Sequence, residues 1–381
     1  MRVWFGVLMA CVFVTACGGS SGPSKTTPSA PVRQLSSGGD VSCAVTADST
    51  AYCWGRGFGP RPVVWAAGVK FRWVSVTLAS GTSSYVCGIT GGRSVVCQGA
   101  ALVDSTGTWN LGATPTVVAN DTSVDTLSAG GSHFCGVNAA HAIWCWGQYG
   151  AGVRGDSIAP AARDSVEVPS KVAGGISWAQ VSAGMGHSCG LATNGSVYCW
   201  GTATQVGVGD TAQYTPFDTT CGSSAGGSSP CAYAPLPVTG VASSIRLASN
   251  GTITCALTST YTLWCWGYVG PTTGNAGQVP AAMPLSTVAT TVTVGSLGGY
   301  CIISPAGDVY CGTLGSAPGL LQGGLKFNDV SAGSDHACGI GVEGLLFCCG
   351  QQPAGLRGGG DSAVRTLPAQ VVIPLPGSEP S

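Results

Sequence analysis

Charge is what this chain has least of. Of 381 residues only 8% are charged, 15 Lys and Arg against 16 Asp and Glu, for a formal net charge of −1. So weak a field offers no basic face to a polyanion, and nucleic acid is excluded as an expected partner. There are only four His, and no C-x2-C pair. Zinc is therefore a poor use for the cysteines, and no metal or other cofactor is expected. No phosphate loop, dinucleotide fingerprint, paired-acid phrase or Ser/His/Asp order is present. With no catalytic residues to name, the chain does not read as an enzyme.

Long apolar runs are also missing. The longest, Val3 to Ala16, is too short to span a bilayer and follows Arg2, which are the size and flank of a secretory signal core. It ends in Val14-Thr15-Ala16-Cys17, then Gly18-Gly19. This phrase resembles the bacterial lipobox, which implies cleavage before Cys17 and a lipid on Cys17. The expected location is the cell envelope, with acyl-chain anchoring in place of a transmembrane helix. Gly18 after the lipidated Cys leans toward the outer membrane by analogy. Residues 18–32, rich in Gly, Ser and Pro, read as a flexible tether. The expected division is signal and lipobox 1–17, tether 18–32, folded body 33–375 and tail 376–381.

What the chain has in abundance is 61 Gly, 19 Cys and 11 Trp. Fourteen cysteines fall into seven C-x9-C pairs: Cys43/Cys53, Cys87/Cys97, Cys135/Cys145, Cys189/Cys199, Cys255/Cys265, Cys301/Cys311 and Cys338/Cys348. Each pair brackets two β-favouring stretches and a turn phrase, as in Cys189 to Cys199 around Asn194-Gly195. Folding at the turn sets the two cysteines opposite each other at disulfide distance. Closing about eleven residues could contribute roughly 3 kcal/mol, and an exported chain meets an oxidising compartment. Cys221/Cys231 has the same spacing in different surroundings. With Cys11 removed and Cys17 lipidated, Cys349 is left over and is expected free, on the opposite strand face from Cys348.

The pairs are embedded in a longer repeat. Leu127 to Cys135 reads LSAGGSHFC, Val181 to Cys189 VSAGMGHSC and Val330 to Cys338 VSAGSDHAC. The Gly five residues before Cys becomes Asn250 in the fifth copy, which suggests a left-handed turn at that position. Four copies end in Cys-Trp-Gly, at Trp54, Trp146, Trp200 and Trp266. First cysteines are spaced 44, 48, 54, 66, 46 and 37 residues apart, the period of propeller blades with variable loops. The phrase resembles the regulator of chromosome condensation (RCC1) repeat in a cysteine-containing bacterial form. The resemblance covers residues 33–375. It is strongest in copies three, four and seven and weakest in two and six, where Gln98 and Gly312 replace Trp. It implies an all-β, seven-bladed propeller of four-stranded blades. Pro-x-x-Val phrases at Pro115, Pro169, Pro235 and Pro368, with Pro62, suit outer edge strands. No such phrase precedes the first copy, so segment 368–373 is expected to close the ring by joining the sheet of hairpin 43–53.

Few residues stand out as site candidates. His133, His187 and His336 share one repeat position, where a blade-linking hydrogen bond is favoured over a ligand or base. His141 lies in a hairpin turn and is expected to be solvated. Arg154-Gly155-Asp156 spells an adhesion tripeptide, but Gly-rich phrases precede Asp210 and Asp361 as well. These loops are therefore expected to be architectural, their Asp side chains capping turn amides and not binding calcium. The most distinctive segment is the insertion from about Thr202 to Leu236, with Tyr214, Phe217, Asp218 and Tyr233 around the Cys221–Cys231 loop. It is the candidate partner-binding loop. The expected function is a monomeric, envelope-anchored, non-enzymatic scaffold binding an unidentified protein. The alternatives are guanine nucleotide exchange, which the resemblance implies but export opposes, and a glycan-binding or catalytic site at the propeller axis.

Overall fold

The computed structural model describes residues 28–77, 85–99, 115–118, 123–148, 152–158, 165–208, 217–218, 231–267, 279–295, 298–321, 323–334, 336–350, 358 and 365–375. Blade 1 comprises β1 (Val32–Ser37), β2 (Val41–Thr46), β3 (Ala51–Gly55) and β4 (Gly59–Val64). Blade 2 is β5 (Phe71–Val76), β6 (Val86–Thr90), β7 (Val95–Gln98) and β8 (Thr116–Val118). Blade 3 is β9 (Val124–Ala129), β10 (His133–Asn138), β11 (Ile143–Gln148) and β12 (Ser165–Lys171). Blade 4 has β13 (Trp178–Ala183), β14 (His187–Ala192), β15 (Val197–Thr202), β16 (Phe217–Asp218) and β17 (Cys231–Pro237). Blade 5 is β18 (Ser244–Asn250), β19 (Ile253–Thr258), β20 (Leu263–Gly267) and β21 (Ala281–Ala282). Blade 6 is β22 (Thr291–Val294), β23 (Gly299–Ile303), β24 (Val309–Thr313) and β25 (Gly319–Leu320). Blade 7 is β26 (Phe327–Ala332), β27 (His336–Gly341), β28 (Leu346–Gly350) and β29 (Arg365–Val371). Each is an antiparallel sheet in chain order, except that β16 adds a fifth strand outside β17. The fold is the expected seven-bladed all-β propeller.

Both faces of a blade are buried, so its central strands lose the usual alternation of buried and exposed residues. All six residues of β2 and all six of β14 are buried. The two faces have different neighbours. Cys43, Val45 and Cys53 pack with Phe71, Val74 and Val86 of the next blade. Ala44, Tyr52 and Trp54, on the other face, pack with Ile340, Leu346 and Val371 of blade 7. Trp200 likewise packs with blade 3 and Trp266 with blade 4. The Cys-Trp phrase thus binds one face to each neighbour, the disulfide side forward and the indole side back.

The seven hairpin disulfides are present as the spacing predicts. Cys43 is bonded to Cys53, Cys87 to Cys97, Cys135 to Cys145 and Cys189 to Cys199. Cys255 is bonded to Cys265, Cys301 to Cys311 and Cys338 to Cys348. In every hairpin the two cysteines face each other in register, with Cα atoms 4.1 Å apart. Burial of the bridges is not uniform. Cys145 and Cys265, each followed by the Trp of its blade, are buried. Cys97 and Cys311 are only half-buried, in the two blades where Gln98 and Gly312 stand for that Trp.

Cys231 is also disulfide-bonded; Cys221, its expected partner, lies outside the described residues, as do Cys17 and the lipobox. Cys349 departs from expectation. It is disulfide-bonded rather than free, buried at 3% exposure where other blades carry Trp.

Ring closure also differs from the exchanged strand expected at 368–373. Strand β29 pairs with β28, completing its own blade, and β1 is the inner strand of blade 1. No strand need cross the seam, because blades 7 and 1 meet through the same bonds as other neighbours. The Val32 N–H donates to the Gly344 carbonyl at 2.8 Å and the Ser334 N–H to the Gly38 carbonyl at 3.2 Å. The expected proximity of the C-terminal strand survives as a clasp: the Ala30 N–H donates to the Ile373 carbonyl at 3.1 Å, and the Ile373 N–H to Ser29 Oγ at 2.9 Å. Ser29 to Val32, expected as tether, already belong to the ring.

Candidate functional site

The repeat phrase V-S-A-G-x-x-H-x-C is a set of inter-blade connectors. Its Ser ends up beside the propeller axis, facing the first cysteine of its hairpin. There its Oγ accepts the N–H of the next blade's inner strand: Ser36 from Val76 (3.1 Å), Ser128 from Ala183 (3.0 Å), Ser182 from Ser249 (2.7 Å) and Ser331 from Ser37 (2.8 Å). Two residues earlier, Gln34 and Gln180 each clamp the next blade's backbone with both amide atoms, on Val74 and Leu247. The Trp73 indole N–H donates to the Leu127 carbonyl from the same position. The serine and glutamine roles were missed in the sequence; the recurring S-A-G Ser was their signal.

The three repeat histidines do the linking expected of them. Their Nε2 atoms lie 2.7 Å from hydroxyls of the next blade: His133 on Ser188, His187 on Thr254 and His336 on Ser42. The hydroxyl residue is in each case the one just before a hairpin cysteine. Burial pushes the imidazoles down to about 3 for His133 and about 4 for His187 and His336, so they are neutral connectors at ordinary pH. The preceding Gly is required by space and not by a left-handed backbone. Gly38, Gly130, Gly184 and Gly333 all lack positive φ. A Cβ on Gly184 would overlap His187 Cε1.

The remaining candidates also resolve into architecture. His141 is not merely solvated: its carbonyl accepts the Trp178 N–H, and its Nδ1 lies 3.0 Å from the Trp178 carbonyl. Arg154 and Asp156 form a largely buried ion pair at 2.8 Å. Between them Gly155, at φ +67°, lies against the Trp200 indole. The tripeptide is therefore folded into the blade 3–4 junction, unavailable as an adhesion loop. Asp156 Oδ1 accepts the Ile158 N–H, the expected turn-capping role; Asp210 and Asp361 lie outside the described residues. Among the described residues no three His, Cys, Asp or Glu side chains gather as a metal site.

Of the candidate recognition loop, Tyr214 lies outside the described residues. Phe217 and Asp218 form β16, paired with Ala232 and Cys231. Tyr233 lies within β17 at 9% exposure, its carbonyl holding the Ser157 N–H. This end of the insertion is thus part of a strand, and Tyr233 is not an exposed contact residue.

Two surfaces remain. The first is a face defined by connectivity. In each blade the turn between second and third strands is short, for example residues 47–50, 139–142, 193–196 and 342–345. The long connections, 99–115, 149–164, 203–230, 268–280 and 351–364, all join the third strand to an outer strand. Strand alternation makes all of them leave from the same face, the one opposite the short hairpin turns. The second is the axis, where inner strands border an open channel of about 190 Å³ lined by hydroxyls, apolar side chains, Gln34, Trp73 and Asn250.

Residues 178–204, spanning the first three strands of blade 4, match the family model of the regulator of chromosome condensation repeat. The chain is a seven-bladed propeller that carries one such matched repeat, in blade 4. Human WBSCR16 superposes with a TM-score of 0.67 at 17% identity, covering 93% of this chain and 89% of that one. Prp20p from Saccharomyces cerevisiae, described with its binding properties to Gsp1p and histones, gives 0.56 at 17%, covering 88% and 76%. The CRINKLY WD40 ectodomain of the Arabidopsis thaliana receptor kinase ACR4 gives 0.52 at 16%, covering 90% and 98%. At these identities the likeness is one of fold.

Proposed function

We propose that this propeller is a non-enzymatic, protein-binding scaffold, exported and lipid-anchored to the cell envelope through Cys17. The observation that carries the reading is that the five long connections leave the third strands from one face of a ring fixed blade to blade. A rigid platform with variable loops on one side is the usual arrangement of a recognition surface. Prp20p, of the same fold, is described as binding Gsp1p and histones. The seven disulfides fit an oxidising, exported setting, where a cytosolic GTPase is not met; this favours scaffold over nucleotide exchange.

Photo-crosslinkers placed in connections 99–115, 149–164, 203–230 and 351–364, and as controls in turns 47–50 and 193–196, test the face in intact cells. Adducts to one protein from the long connections, and none from the turns, are expected. Adducts from the turns alone refute the assignment. In Cys17→Ser the protein should leave the membrane fraction and lose palmitate label; retention of both refutes the anchor.

A further inference from the structure

The axial channel carries polar capacity that the ring does not use. Ser36, Ser128, Ser182 and Ser331 each accept a backbone N–H. Among the described residues their hydroxyl protons meet no acceptor. Ser75 and Thr293 line the same space. At the loop-bearing end Asn250, 4% exposed, reaches from blade 5 past blade 6 to blade 7, where Nδ2 donates to the Ala332 carbonyl at 2.9 Å. A carbonyl can only accept, so this bond fixes the amide orientation. It leaves Oδ1 buried, on a residue that lines the channel, with no donor among the described residues. A buried amide oxygen without a partner is costly, so a donor is called for there.

No lining side chain is charged, which disfavours phosphates, carboxylates and metal ions, whose desolvation nothing here offsets. The about 190 Å³ of the channel has room for several waters, each of which needs about 10–15 Å³ of such space. What matches a ring of hydroxyl donors facing a single amide acceptor is a molecule whose own groups both donate and accept. Alcohol groups can reproduce the hydrogen bonds of the waters they displace, the condition for displacement without loss of affinity. Trp73, its indole held by Leu127, adds an apolar wall for carbon-bound hydrogens.

We propose that the axial channel is a binding site for a small uncharged polyol, either free or as the terminal sugar of a glycan, with Asn250 Oδ1 accepting one of its hydroxyls. The proposal is independent of the protein-binding face.

Saturation-transfer NMR on the disulfide-intact protein, with glycerol, glucose, a disaccharide and gluconate as probes, tests it. Glycerol or glucose should bind with a dissociation constant near millimolar, the scale for so few atoms; gluconate should not. Disaccharide binding through one ring only identifies a glycan end as the source, and binding of the free polyols alone identifies those. Asn250→Leu should weaken binding at least about tenfold, the equivalent of one buried hydrogen bond. Ala248→Val narrows the channel at the one inner-strand position lacking a hydroxyl opposite its cysteine, without removing any bond of the ring, and should do the same. No transfer from any neutral probe at about 100 mM, some hundredfold above that scale, overturns the proposal. So does transfer that survives Ala248→Val, or an experimental structure showing only water in the channel with polyol present.

Discussion

Acid should open this ring, and the histidine connectors set the pH at which it does so. His133, His187 and His336 are fully buried, with pKa values held at about 3, 4 and 4. In the unfolded chain each sits near 6.5. Below that pH the unfolded state takes up protons that the folded state refuses, so stability is complete above about pH 6.5 and falls as pH drops toward 4. At pH 5 each histidine costs about 2 kcal/mol, or about 6 kcal/mol for the three. Asp329 acts in the other direction. Burial raises its carboxyl to about 6, against the pull of the Arg246 charge, so the folded state gains about 1.4 kcal/mol from it at pH 5. Asp48, held below its ordinary value by Thr46, contributes only at still lower pH. The net loss is about 4–5 kcal/mol, a large part of a typical domain's 5–15 kcal/mol. Urea titrations at pH 7.5 and 5.0, disulfides intact, should show this loss with an unchanged m-value. His187→Gln, which keeps an amide against Thr254, should lower proton uptake on unfolding by about one. Equal stability at the two pH values would refute the reasoning, and so would uptake that the variant leaves unaltered.

The connectors also make their glycines and their absences testable. Gly184→Ala drives a Cβ into the His187 ring and should cost about 3 kcal/mol, read as a lowered urea midpoint; Gly319→Ala, with open space around it, should change nothing. Blade 6 has no histidine, and its links to blade 7 among the described residues include the Phe327 N–H to Gly307 carbonyl bond and the Lys326–Asp308 ion pair. Its amides should exchange hydrogen faster than those of blade 4 under native conditions, by mass spectrometry; equal protection would show that packing alone holds the blades.

The hairpins were legible because they are local. Cysteine spacing, the Asn-Gly turn and the Cys-Trp-Gly phrase each act within about a dozen residues, and the count of blades follows from them. The connectors were only half legible. A histidine repeated in three copies signals a role, but its partner is a Ser or Thr on the next blade, 55 residues on in the case of Ser188, and is visible only once blades are stacked. The glycine before it shows the same gap. Asn250 at the equivalent place suggested a left-handed turn, since both residue types tolerate one. The demand is for room, beside an imidazole at Gly184 and against the next blade's Thr77 carbonyl at Gly38, and the fifth copy, with Thr252-Ile253 in place of the His position, has no imidazole to accommodate.

The error about ring closure has the same origin and bears most on how the molecule is held. An open ring exposes two blade faces, from which a strand exchanged across the seam is the sequence-based expectation. Such a need arises only if the seam is weaker than the other junctions. Yet the His336–Ser42, Ser331–Ser37, Ser334–Gly38 and Gly344–Val32 bonds repeat at the seam what the blade 3–4 junction makes with His133–Ser188, Ser128–Ala183, Gly131–Gly184 and His141–Trp178. Closure is therefore a property of the repeat itself: any two blades carrying the phrase can meet, whether or not they adjoin in sequence. The junctions that depart from it lie around blades 2, 5 and 6, where Gln98 and Gly312 stand for Trp and Ala248 for Ser. The departures from the repeat thus lie away from the seam, and blade 6 borders the place where Asn250 reaches Ala332.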